Sequence, residues 1–361
     1  MKYNLDEKAI IFLDGFLNLE YKHKRNIIDL FETPSELFKN LNIVRNYLNS
    51  NGLTKYSSSL SIGINEDFVE RIIQKYNERG IIAITEVSEN YPKTLLNLPI
   101  NPICLYAKGN VSLLNCKDKF SIVGSRKTIP QYLKLTEDIS KDLTNSGVII
   151  VTGVALGGDL SAIKGGLDSG KLILVLAGGL DFIKQEINRD YINKVIENNG
   201  LVITEYPPEV PTLAYHYPVR NRIIAGISDG TLIVSGDNKS GTRHTASFAL
   251  DYGKEVFAFP YTIGTPNGEL PNSLIKDGAY LVLDTKDITE VLQYNFTEKQ
   301  KISLSTEEEK VLSAIKNGKT LFDDIIVETN FKIYELMPIL TTLEIKGVIV
   351  KANGNEYLLL N

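Results

Sequence analysis

From Lys119 onward, short runs of leucine and β-branched residues alternate with amphipathic stretches of helix length. The apolar runs fall at 120–123, 148–151, 172–176, 201–204, 231–234, 256–259 and 280–283, and the segments 131–145, 159–168, 188–198 and 242–252 between them read as helices. Near-continuous apolar runs mark strands covered on both faces, and strand–helix repetition predicts right-handed crossovers within a parallel sheet. The expected fold class is α/β: a Rossmann-like, doubly wound, mostly parallel sheet over 116–292.

The flanks have other periods. Residues 5–80 read as short amphipathic helices, such as 24–30 and 35–48, with turn signals at Thr33-Pro34 and Asn51-Gly52. This predicts a small N-terminal helical domain over 1–79, of the SAM or helix-hairpin-helix kind. Residues 80–115 form a connector with strand-like segments at 80–86 and 102–107, punctuated by Pro92 and Pro102. A polar linker is expected over 293–306. Beyond it, three helical segments at 307–315, 321–327 and 333–346 precede two short strands around Asn353-Gly354, the pattern of a winged-helix domain over 307–361.

The length of 361 residues suits two or three such domains. The first residues are charged and lack the apolar stretch of a secretory signal, and the longest apolar run, 172–180, is half the roughly 18 residues of a membrane span. A cytoplasmic protein with no membrane contact is expected. Net charge is −5, with 13 basic and 13 acidic side chains in residues 1–110, 16 and 16 in 115–260, and 10 and 15 in 261–361. A nucleic-acid partner would therefore need a locally positive site. Cys104, Cys116 and the three histidines have no metal-ligand spacing, so no metal and no cofactor is expected and both cysteines read as small apolar fillers.

Ligands of doubly wound sheets lie beyond the carboxyl ends of the strands. Four of those ends carry small or glycine-rich turns: Gly124-Ser125-Arg126, the 153–158 segment beginning at Gly153, Gly178-Gly179, and 236–241. Glycine there lets backbone N–H groups approach an anion, and a following helix adds its dipole. A phosphate-bearing ligand is expected. No G-x-G-x-x-G occurs, and 236–243 misses the P-loop, with Thr242 at the lysine position and Arg243 at the hydroxyl position. Tyr215, His216 and Tyr217 interleave with Arg220 and Arg222, which suits single-stranded nucleic acid, where bases stack on rings at roughly 1–3 kcal/mol each. On one helix the two arginines point to different sides, and either is available to brace a carboxylate such as Glu205 or Asp229. No nucleophile elbow, Cys–His pair or H-E-x-x-H is present, so the cleft reads as a binding site without a reaction. Lys22, Lys24 and Arg25 read as a solvated basic helix face.

Several of these segments carry a resemblance. Tyr91-Pro92-Lys93-Thr94-Leu95-Leu96, Pro102 to Asn110, Ile122-Val123-Gly124-Ser125-Arg126, Arg220-Asn221-Arg222-Ile223-Ile224-Ala225-Gly226, Ser240-Gly241-Thr242 with Thr245-Ala246, Gly253-Lys254-Glu255-Val256-Phe257-Ala258 and Leu274-Ile275-Lys276-Asp277-Gly278-Ala279 are similar, in order, to motifs of the DprA/Smf family, the bacterial DNA-processing protein A. The chain departs from that pattern at Leu156 and Ile163, where the family has arginine and histidine, and at 181–188, where it lacks the family's aromatic and prolines.

The resemblance implies a non-enzymatic protein that binds single-stranded DNA in the Rossmann-like domain, forms a homodimer through it, and helps load RecA in natural transformation or recombination. It implies a phosphate site at Gly124, Ser125, Arg126 and Lys127, at Arg220, Asn221 and Arg222, and at Ser240, Gly241, Thr242 and Arg243, with Gly153 on the next turn and Tyr217 as the stacking ring. Ile275 and Leu281 are candidates for the dimer surface. The alternative is a nucleotide phosphoribohydrolase similar to the Lonely Guy enzymes, whose G-G-x-G-T-x-x-E loop meets Ser240-Gly241-Thr242 and Ala246 here, with no glutamate near. In the winged helix, Lys332 and Lys346 are offset by Glu335 and Glu344, so a protein-contact or regulatory role is expected there.

Overall fold

Isoleucine, valine and leucine dominate the strands because both faces of each are covered. The computed structural model describes residues 2–60, 64–237, 239–296, 304–346, 348–352 and 355–359. The chain forms two compact units, Met1–Phe296 and Thr297–Asn361.

The first unit is built on nine strands: β1 (Ile82–Thr85), β2 (Cys104–Gly109), β3 (Lys119–Val123), β4 (Ile149–Thr152), β5 (Leu172–Val175), β6 (Leu201–Thr204), β7 (Gly230–Ile233), β8 (Glu255–Ala258) and β9 (Tyr280–Leu281). Their order is β1-β2-β6-β5-β4-β3-β7-β8-β9. From β6 to β9 all neighbours run parallel, while β1 and β2 join antiparallel beside β6. The connector strands are thus part of the main sheet. Chain direction across the sheet reverses its progress between β3 and β7, where Val123 pairs with Ile233, and that switch point is where such sheets open a ligand crevice.

Helices Pro130–Asn145, Gly158–Gly166, Arg189–Glu197 and Thr285–Leu292 bury Ile139, Leu143, Ile163, Ile192 and Ile288 on one face of the sheet. Helices His216–Gly226, Gly241–Asp251 and Glu269–Lys276 bury Ile223, Ile224, Ala249 and Leu270 on the other. The Glu269–Lys276 helix is not evident in the sequence pattern; Pro271 sits in its first turn, where a missing N–H breaks no helical bond.

The N-terminal helices share the first of these cores through Tyr76, Ile81 and Tyr106. Among them, a single π-helical turn, Phe12–Phe16, buries Asp14, which accepts from Lys24 Nζ at 2.6 Å and Tyr106 Oη at 2.8 Å. Arg25 binds Glu86 at 2.6 Å. The basic face expected at Lys22, Lys24 and Arg25 is therefore corrected: of the three, Lys22 is exposed with no ion pair among the described residues, while carboxylates reach the other two. Cys104 is a buried filler as expected, but Cys116 is exposed.

In the second unit, helices Thr306–Lys316, Phe322–Thr329 and Ile333–Ile345 pack with an antiparallel pair, β10 (Ile349–Lys351) and β11 (Tyr357–Leu359), around Val311, Ile325, Leu336, Leu340 and Ile349. Ser305 and Glu308 form a capping box that fixes the first helix, and Glu308 also binds Lys346 at 2.7 Å. The central linker residues 297–303 and the hairpin turn at Asn353-Gly354 lie outside the described residues. Among the described residues, no helix is long and apolar enough to cross a membrane.

Candidate functional site

Three elements meet at the switch point: the Gly124-Ser125-Arg126 turn after β3, the 153–158 turn after β4, and the 235–241 turn after β7. Gly157 has φ +86°, and a β-carbon there would collide with the Ser125 carbonyl oxygen, so two glycine-bearing turns close on each other. Ser125 N–H donates to Ser235 O at 3.2 Å and lies 3.0 Å from Ser235 Oγ, while Ser125 Oγ bonds Asn267 Oδ1 at 3.3 Å. Asn267 also accepts from Gly236 N–H through its carbonyl at 2.7 Å. The Asn267-Gly268 pair is a turn signal in the sequence that reading by strand ends passes over.

Beneath this rim lies a buried polar cluster centred on Asp159, which accepts from Gly124 N–H at 3.2 Å and Ala155 N–H at 3.4 Å. Burial pushes the Asp159 carboxyl above the usual carboxylate range, against the pull of Arg220. Burial likewise draws the Arg220 guanidinium down from its ordinary value, and Asp159 opposes that shift. Gly153 lies between the two, where a β-carbon would fall 2.8 Å from both Arg220 Nη atoms. Arg220 donates to the Val175 carbonyl and, through Nε, to Asn221 Oδ1 at 3.1 Å; Asn221 Nδ2 in turn donates to Gly241 O at 3.2 Å. These bonds fasten the His216–Gly226 helix to β5 and to the start of the Gly241–Asp251 helix.

Arg222 points away from the cleft, as alternation on a helix requires. It forms a bidentate pair with Glu205, Nη1 to Oε1 at 2.7 Å and Nη2 to Oε2 at 2.6 Å, and donates from Nε to Ile100 O at 3.0 Å. Its place in a phosphate site is therefore corrected, because the guanidinium is buried and spent on a carboxylate. Arg220 and Asn221 are likewise buried and internally bonded. His216 lies under the rim, with Nδ1 2.9 Å from Ala177 O and its ring stacked on Tyr206 at 4.0 Å; burial lowers its pKa below the ordinary histidine value.

The expectation that turn amides cradle an anion is also corrected in part. The N–H groups of Gly124, Ser125, Lys127, Ala155 and Gly236 all donate within the protein. Thr242 is buried, and Ser240 Oγ donates to Asp237 O at 2.9 Å. What the rim presents instead is side-chain charge: Arg126, Lys127, Lys239 and Arg243 are exposed. Arg126 makes no hydrogen bond or ion pair among the described residues, and its field reaches Asp159 and Tyr217. Tyr217 is half-buried, and burial raises its pKa. Glu186, pushed up by burial against a bond from Thr212, faces the same side near Arg220. Such an arrangement can hold an anion by side chains around a ring; among the described residues no group of three or more His, Cys, Asp or Glu is placed to hold a metal.

At the far edge, Leu281 is 42% exposed beside Tyr280 and Leu283, and Ile275 is half-buried. Asn238 lies outside the described residues.

Comparison with known proteins gives three kinds of match. Residues 82–293 match the family described as DNA recombination-mediator protein A, and 297–355 match the DprA winged helix domain. DNA processing protein DprA of Bacillus subtilis is 34% identical over 223 residues, 62% of this chain and 75% of that protein. The X-ray structure of DprA from Streptococcus pneumoniae superposes with a TM-score of 0.64 at 27% identity, covering 82% of this chain and 100% of that one. A structure of DprA from Helicobacter pylori, described for its single-stranded DNA binding mode, superposes with a TM-score of 0.54 at 29% identity, over 60% of this chain and 97% of that one.

Proposed function

The chain belongs to the DNA recombination-mediator protein A family, and from that premise we propose that it binds single-stranded DNA at the switch-point rim, works as a homodimer, and helps load RecA onto the bound strand without catalysing a reaction. The observation that carries this reading is Arg126: an exposed guanidinium with no carboxylate partner among the described residues, on a turn held rigid by Ser235 and Asn267, in a chain of net charge −5. On a chain whose net charge repels polyanions, a locally positive rim is what a phosphate chain needs in order to bind. Lys127, Lys239 and Arg243 extend the positive edge, Ser240 and Gly241 lie at the start of an eleven-residue helix whose dipole adds to it, and Tyr217 offers a ring to an unpaired base. Gly124, Ser125, Gly153, Arg220, Asn221, Arg222 and Thr242 serve as the scaffold that positions these groups. The description of the Helicobacter pylori relative supports the same ligand.

The edge beyond β9 supports the homodimer: the strand ends the sheet and leaves Tyr280, Leu281 and Leu283 exposed.

Fluorescence anisotropy with labelled oligo-dT tests the site. Wild type binds without nucleotide, and its affinity falls with salt with a log–log slope of about −0.7 per phosphate neutralised. Arg126→Ala weakens binding and makes the slope shallower by about 0.7. Identical curves for the two proteins across the titration would remove Arg126 from the site. Incubation with nucleoside monophosphates releases no base at turnover; release would favour a phosphoribohydrolase instead.

A further inference from the structure

A groove of the first unit, lined by none of the rim cations, lies between the N-terminal helices and the connection from β6 to the His216–Gly226 helix. Its volume is about 590 Å³, within the range that encloses a compact ligand or a large side chain. The parallel Tyr206 and His216 rings form one wall, with Tyr215 edge-on to His216 at 4.5 Å. Ile103 and Cys104, where β2 begins, also line it. Around the mouth stand Ile100 at 48% exposure, Leu213 at 41%, Tyr215 at 66% and Val219 at 41%. Solvent-facing collars of this kind, continuous with a cavity, mark interaction surfaces.

The charges lining the groove select what enters. It has four carboxylates, Asp14, Glu20, Glu205 and Glu209, against two cations, Lys24 and Arg222. Both cations are spent, Lys24 on Asp14 at 2.6 Å and Arg222 on Glu205 at 2.6 Å. Glu209 shares Arg79 with Asp181, while Glu20 is exposed and pairs with no cation among the described residues. Among the lining residues a phosphate strand meets no unpaired cation, while Glu20 stands as an unpaired carboxylate that opposes its charge. An apolar anchor with positive flanks satisfies both the rings and the rim.

We propose that this groove docks a partner protein through an apolar or aromatic side chain carried on a lysine- and arginine-rich segment. The occupant lies against the opening turn of the same helix that carries Tyr217 and Arg220, so the partner sits beside the rim without occupying it. This site is independent of the strand-binding reading, and its test has a separate readout.

Three fluorescein-labelled peptides of equal length serve as probes with the full-length protein: phenylalanine flanked by lysine and arginine, the same peptide with alanine replacing phenylalanine, and phenylalanine flanked by glutamate. In anisotropy titrations the first binds at least about ten-fold tighter than the other two. Leu213→Lys, which puts a cation in the mouth, weakens it about ten-fold, as does Val219→Lys, while both variants retain oligo-dT affinity within about two-fold. That retained affinity also reports that the variants are folded. Equal binding of the phenylalanine and alanine peptides overturns the proposal, as does indifference to both lysine substitutions. Displacement of the peptide by equimolar oligo-dT overturns it in favour of a groove for bases, and dissociation of a dimer by Leu213→Lys, read by sedimentation, overturns it in favour of a second copy of the chain.

Discussion

The Gly124-Ser125-Arg126 turn and the Arg220-Asn221-Arg222 helix stand at the same switch point and use arginine in opposite ways. On the turn, the guanidinium is exposed with no ion pair among the described residues; on the helix, one arginine is bonded to the Val175 carbonyl beside Asp159 and the other is clamped by Glu205. The difference follows from what each backbone passes. The helix crosses the ends of β5 and β6, where free carbonyls and a carboxylate wait for donors, whereas the turn caps β3 with its own amides already engaged. A motif rich in arginine is thus not one functional unit: its charges divide into those that build the cleft and those that face the ligand.

The sharpest way to break this comparison is Arg222→Ala, which leaves Glu205 uncompensated in a mostly buried setting. A loss of about 3–5 kcal/mol is expected from urea unfolding, and Arg222→Met with Glu205→Leu recovers much of it. A loss below about 1 kcal/mol would place Arg222 among surface pairs. Arg220→Ala ranks next, at about 1–3 kcal/mol, because the Val175 carbonyl loses a donor and Asp159 loses the charge that opposes its burial.

The winged-helix unit uses the paired device in a milder form. Lys346 and the Ser305 N–H hold the Glu308 carboxyl below its usual range. Its contribution is therefore present above the unfolded value of about 4.3 and is lost as pH falls through the lower folded value. Hydrogen-exchange protection in the Thr306–Lys316 helix of the full chain, corrected for the intrinsic exchange rate at each pH, should fall between about pH 5 and pH 3, while Glu308→Gln starts less protected and changes less over that window. Matching pH profiles would remove the ion pair from the account. The smallest expected effect is Arg126→Ala, which shifts unfolding by no more than about 0.5 kcal/mol. Its consequence appears in oligo-dT binding alone, and a large stability loss would erase the distinction between turn and helix.

Much of the architecture was legible because its cause is local. Apolar runs covered on both faces identify strands, and the segments at 120–123, 201–204 and 231–234 lie on β3, β6 and β7 within a residue. The Glu269–Lys276 helix escaped because Pro271 and Asn272 interrupt its pattern, and its place is fixed by Leu270 packing in the core. At the site, the turns and their order were legible, and so was the possibility that an arginine braces Glu205. Asn267 at the rim was not, because it acts on Ser125, 142 residues away in the chain. The N-terminal basic cluster misled for the same reason: Asp14 and Glu86 approach Lys24 and Arg25 only once the helices pack on β1 and β2.

Sequence by itself determined the strand–helix alternation, the glycine turns at the strand ends, and the family motifs, since these depend on residue type and near spacing. Only tertiary structure decided which cations remain exposed. Whether a guanidinium faces solvent or a carboxylate depends on which distant strand end, carbonyl or acidic side chain the fold carries to within about 3 Å of it.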